Sequence, residues 1–102
     1  MIAGRRRKQL SKAQGTFVIV NERGLHARAA SAFVNVASGF ESTISVEKDG
    51  RTVDGKSILG MVSLLGVRGS HINVEATGDD AEQAIKALGR LVALGFDEGA
   101  LL

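Results

Sequence analysis

The sequence predicts an α+β fold, a two-layer open-faced sandwich with a single antiparallel sheet covered on one face by three helices. Three observations predict it. Strand and helix signals follow one another in the order β-α-β-β-α-β-α. Residues 42–48 and 71–76 alternate apolar and polar side chains, so each strand wants one covered and one open face. The helical segments are amphipathic, and together they supply one covering layer.

Each element has its own signal. Residues 16–20, TFVIV, are β-branched and aromatic and predict the first strand. NERG, 21–24, is a turn. Residues 27–38 are strong helix formers, with Ala30, Phe33, Val34 and Ala37 on one face, and Gly39 sits at the C-terminal cap position. STISVEK, 42–48, is a half-buried strand. Asp49-Gly50 is a hairpin turn of the kind that needs positive φ at both positions. Residues 51–53 return as a short strand. SILGMVSLL, 57–65, is a short apolar helix with Ser57 as N-cap, weakened at Gly60 by about 1 kcal/mol relative to Ala. HINVEA, 71–76, is the last strand. Asp79 and Glu82 form a D-x-x-E capping box for the final helix, which Gly95 ends.

Composition narrows the function classes. The chain has 102 residues, enough for one domain. It contains no cysteine, so a disulfide framework and a thiolate metal site are excluded. No apolar run approaches the roughly 18 residues of a membrane span. No secretory signal is apparent, so a cytoplasmic location without membrane insertion is expected. Five basic residues, Arg5, Arg6, Arg7, Lys8 and Lys12, fall in the first 12, and the remainder is net acidic. Residues 1–14 read as a basic extension, 15–97 as the domain, and 98–102 as a frayed tail. The extension is the basis of one alternative reading, a small nucleic-acid-binding domain. Four Phe without Trp or Tyr provide little of the aromatic interleaving such a surface uses. A monomer is the default expectation.

GRTVDGKS, residues 50–57, fits the nucleotide P-loop pattern G-x-x-x-x-G-K-[ST]. Its context does not. The first glycine belongs to a hairpin turn, and Thr52 and Val53 favour a strand over a loop that wraps phosphate. The helix that follows is short. No nucleotide or other cofactor is expected.

NERGLHARAASAF, residues 21–33, carries more chemistry. His26 falls between a turn and a helix, where unpaired N–H groups and the helix dipole favour an anion. Arg28 adds a guanidinium fork suited to phosphate oxygens. A neutral imidazole can attack phosphorus. No His or carboxylate lies three or four residues after His26, so no metal site is expected there. His71 reads as a surface residue.

N-x-x-G-L-H-A-R, followed by a helix and then by DGRTVDGKSILGMVSLLG at 49–66, resembles the HPr family of histidine-containing phosphocarrier proteins. The likeness runs from about residue 16 to residue 96. It implies a sheet in strand order 1-4-2-3. It implies a carrier with no turnover of its own, which takes a phosphoryl group on His26 from enzyme I and passes it to an enzyme IIA component. His26 would attack through Nδ1 with Arg28 as electrostatic partner. Such relays serve sugar uptake or nitrogen-related regulation. Ser57 matches the family's regulatory serine, the target of an HPr kinase/phosphorylase. Ala29, Phe33, Ile58, Leu59 and Met61 are the expected docking residues. One departure is that Ala29 stands where the family usually has Pro; Ala keeps the helix and adds an N–H.

Overall fold

The computed structural model describes residues 11–97. The cluster Arg5–Lys8 and the tail 98–102 lie outside them. The elements are β1 (Lys12–Val18), α1 (Ala27–Ser38), β2 (Thr43–Lys48), β3 (Arg51–Asp54), α2 (Ile58–Ser63), β4 (His71–Thr77) and α3 (Ala81–Ala93), then a 3-10 turn at Gly95–Asp97. The strands form one antiparallel sheet in the order β1-β4-β2-β3. This is the predicted element order and sheet.

Alternation decides which face is covered. Ile44 and Val46 of β2 and Ile72, Val74 and Ala76 of β4 point under the helices and are buried. Ala30, Phe33 and Ala37 of α1 and Ala84, Leu88 and Leu91 of α3 meet them. Phe17 of β1 needs the space left by two glycines. A Cβ on Gly15 would lie 2.7 Å from its ring, and one on Gly89 of α3 2.8 Å away. The other face is polar. Thr16 Oγ1 donates to Asn73 Oδ1 (2.7 Å), Asn73 Nδ2 donates to Glu47 Oε1 (2.6 Å), and the Gly50 N–H donates to Glu47 Oε2 (2.6 Å).

Three local expectations need correction. β1 begins at Lys12, not at the apolar run, so residues 12–14 of the expected extension are paired in the sheet. Gln14 and Gly15 have little strand propensity, but β4 offers them Glu75 and Val74 as partners, and pairing overrides propensity. Gly39 caps α1 with φ −77°, so the left-handed cap is not used there; Gly95, at φ 67°, does use it after α3. The third correction concerns the start of α3. Its N-cap is Asp80, not Asp79, and Asp80 makes no side-chain cap bond.

The Asp80 carboxylate instead crosses to the loop before β2. It accepts from the Glu41 N–H (2.9 Å), the Ser42 N–H (3.0 Å) and the Ser42 hydroxyl (2.6 Å). The Ser42 hydroxyl and then the Glu41 amide hold its pKa below the usual carboxylate value. A depressed pKa stabilises the fold above the unfolded-state value, and that contribution is lost as pH falls through the folded-state value. Asp80→Ala should therefore melt below wild type at neutral pH. The gap should close as pH falls below about 4. Calorimetry across pH checks this; a gap that stays constant to pH of about 2 would show that the carboxylate charge is not what holds the loop.

Candidate functional site

The turn before α1 is built to deliver His26 to the helix start. The Asn21 Nδ2 donates to the Gly24 carbonyl (2.9 Å), and the Gly24 N–H donates to the Asn21 carbonyl (3.2 Å). Gly24 has φ 67°, and a Cβ on it would collide with the Gly66 carbonyl. The next N–H, of Leu25, donates to that same carbonyl at 2.8 Å. Two loops are thus clamped together one residue before His26. Leu25 is buried and anchors the turn from below.

His26 is the N-cap of α1, with extended backbone (φ −77°, ψ 178°). Its carbonyl accepts the Ala30 N–H at 2.9 Å. Its Nδ1 accepts the Arg28 N–H at 3.3 Å, a long bond. An imidazole that accepts at Nδ1 carries its neutral-state proton on Nε2. The Nδ1 lone pair therefore faces the positive end of a 12-residue helix. Arg28, two residues further on, is exposed. The arrangement places the imidazole Nδ1 of a half-buried His26 at the N–H groups that open α1.

Ser57 is the N-cap of α2, with its Oγ accepting the Gly60 N–H at 2.9 Å. The other residues of GRTVDGKS go where the hairpin reading puts them. Asp49 and Gly50 turn with φ 52° and 86°, residues 51–54 form β3, and Lys56 Nζ donates to the Phe40 carbonyl at 2.8 Å. That lysine ties two loops together. Among the described residues no cluster of His and carboxylates could hold a metal ion, and no helix is long and apolar enough to cross a membrane.

The expected docking set divides. Ile58 and Leu59 are 42% and 82% exposed, but Ala29, Phe33 and Met61 are at most 1% exposed and belong to the core. The cause is helical period. Ala29, Ala30, Phe33 and Ala37 make the stripe by which α1 sits on the sheet, and short α2 is anchored by buried Met61 with partly buried Val62 beside it. Two apolar surface residues close to the site escaped the sequence reading, Leu65 (74% exposed) and Val67 (66%). The available signal was the doublet Leu64-Leu65 at the end of a short segment, of which only Leu64 turns into the core.

The family described as "PTS HPr component phosphorylation site" matches residues 13–93. The phosphocarrier protein HPr of Cupriavidus necator is 41% identical over 81 residues, covering 79% of this chain and 91% of that one. The multiphosphoryl transfer protein of Salmonella typhimurium is 41% identical over 87 residues, which are 82% of this chain and 23% of that longer protein. The chain thus spans about a quarter of the multiphosphoryl transfer relatives it matches. The crystal structure of HPr-C-His from Thermoanaerobacter tengcongensis superposes with a TM-score of 0.81 at 48% identity, covering 84% of this chain and 97% of that one.

Reassigning Phe33 to the core has a measurable consequence. Phe33→Ala should cost about 3–5 kcal/mol in denaturant unfolding, whereas Leu59→Ala should change stability by less than about 0.5 kcal/mol. Equal effects would contradict the burial pattern.

Proposed function

Because the chain belongs to the HPr family of phosphocarrier proteins, we propose that His26 is the residue that carries the phosphoryl group. The observation that supports this best is the Nδ1 of His26 held at the N-cap of α1, 3.3 Å from the Arg28 N–H. In the proposed step the Nδ1 lone pair attacks phosphorus on a phosphohistidine of enzyme I. A P–N bond forms to His26, and the donor's P–N bond breaks with its electron pair returning to the donor imidazole. The new phosphoryl oxygens lie against the helix N–H groups, and the exposed Arg28 guanidinium neutralises part of their charge. A histidine of an enzyme IIA component then attacks in turn, and His26 is restored. The chain is a covalent intermediate between enzymes in the cytoplasm, not a catalyst with its own turnover.

Ser57 is proposed as a regulatory site, phosphorylated from ATP by an HPr kinase/phosphorylase. Its phosphate would add close to two negative charges next to Ile58 and Leu59, the exposed part of α2. Desolvating that charge at an interface is costly, so docking should weaken.

Two experiments test these assignments. Incubation with phosphoenolpyruvate and enzyme I should give an acid-labile, base-stable phosphate that is absent from His26→Ala; an unlabelled wild type beside active enzyme I would overturn the reading. The kinase with ATP should give an acid-stable phosphate that Ser57→Ala lacks, and the modified protein should accept from enzyme I more slowly. If the kinase leaves Ser57 unmodified, the regulatory assignment is wrong.

A further inference from the structure

A buried asparagine stands where the fold asks for an apolar side chain. The alternation of β1 continues past Val18: Ile19 is buried, Val20 is exposed, and Asn21 is buried again. Asn21 and Ser42 are the two buried polar residues among the described ones, and Ser42 serves Asp80. Asn21 packs beside Gly95, where a Cβ would lie 3.5 Å from its own Cβ, so the turn that follows α3 closes against it. A carboxamide is costly to bury unless its polar atoms find partners.

The partner of its Nδ2 lies in the histidine turn. Asn21 Nδ2 donates to the Gly24 carbonyl at 2.9 Å, and the N–H of that same peptide unit, on Leu25, donates to the Gly66 carbonyl at 2.8 Å. The C=O and N–H of a trans peptide point in opposite directions. The Gly24–Leu25 plane is therefore held at both ends and cannot rotate without losing a bond. The backbone bond that also closes the turn, from the Gly24 N–H to the Asn21 carbonyl, is longer at 3.2 Å. Between them Glu22 and Arg23 are exposed. The side chain of Asn21 is thus the shorter of the two links across the turn, and the plane it fixes leads through Leu25 directly into His26.

We propose that Asn21 is a positioning residue for phosphoryl transfer: by fixing the Gly24–Leu25 plane, its Nδ2 sets the place from which His26 Nδ1 meets phosphorus. It acts through the backbone of the turn. A shift of about 1 Å in a reacting atom can lower a rate about a hundredfold, so a small rotation of this plane is enough to matter. The inference rests on His26 being the phosphoryl acceptor.

Single-turnover transfer from phosphorylated enzyme I to wild type, Asn21→Asp and Asn21→Leu tests it. Circular dichroism gives the folded fraction of each, and rates are referred to it. At a pH of about 8 both variants should lose about tenfold or more in maximal rate, with the half-saturating concentration within about twofold of wild type. A carboxylate has the shape of the carboxamide but cannot donate to Gly24 until it is protonated, and burial against a carbonyl raises the pH at which that happens. As pH falls toward about 5, the Asn21→Asp deficit relative to wild type should therefore shrink, and the Asn21→Leu deficit should not. Asn21→Leu fills the inward position with an apolar side chain of similar size, which keeps a folded variant in the comparison if the carboxylate unfolds the chain. A wild type that accepts no phosphoryl group would overturn the functional reading and this inference with it. With a competent wild type, folded Asn21→Leu that transfers within about twofold of it, a loss confined to the half-saturating concentration, or an Asn21→Asp deficit that pH leaves unchanged would each overturn this inference alone.

Discussion

The backbone of Gly24 lies against the carbonyl of Gly66, and the histidine site depends on that contact. Gly24 cannot carry a side chain there, and a side chain on Gly66 would displace the ends of two core residues. A Cβ on Gly24 would collide with the Gly66 carbonyl, and one on Gly66 would lie 2.6 Å from Ile19 Cδ1. The closeness lets the Leu25 N–H reach Gly66, while the Gly69 N–H donates to the Ile19 carbonyl (2.7 Å) and the Ile19 N–H to the Ser70 carbonyl (2.9 Å). These bonds continue the β1–β4 pairing past the end of the strands into the two loops. His26 is thereby fixed to the end of the β1–β4 pair, although it stands at a loop. On the proposed reading, preorganisation of this kind serves a nucleophile that must meet another protein's phosphorus in line.

The same clamp explains how a six-residue helix persists beside the site. α2 is too short to be stable alone. It is held at one end by the Ser57 cap, in the middle by Met61, and at the other end by the loop that Gly66 ties to Leu25. Because these anchors use so few side chains, the rest of the segment is released to the surface. Ile58, Leu59, Leu65 and Val67 are exposed for that reason, and they make the outer surface of α2 and its following loop apolar.

Much of this was legible in the sequence. The bounds of α1 follow from its propensities and from His26 standing at its start, and the hairpin at Asp49-Gly50 follows from the turn's demand for positive φ. Three features were not legible, each because a distant segment decides it. Gln14 and Gly15 are strand only because β4 pairs with them. Asp80 leaves its own helix end because Glu41 and Ser42 offer it three donors. The docking residues were misassigned between core and surface because period fixes which side chains share a face, not which face looks inward. On a two-turn helix such as α2, with apolar residues all round, nothing local breaks that tie.

A carrier has to release what it accepts, and the site is balanced accordingly. Deep burial of the phosphoryl group among several fixed cations would stabilise the intermediate and slow its onward transfer. On the proposed reading, His26 is only half-buried and Arg28 is exposed, so its attraction for phosphate is screened by water. The helix end contributes partial charges, not a full one. The Nδ1 bond to the Arg28 N–H is long, so little is lost when that nitrogen turns to phosphorus. On that reading the weak hold on the phosphate keeps acceptance and donation close in free energy, as a reversible relay requires.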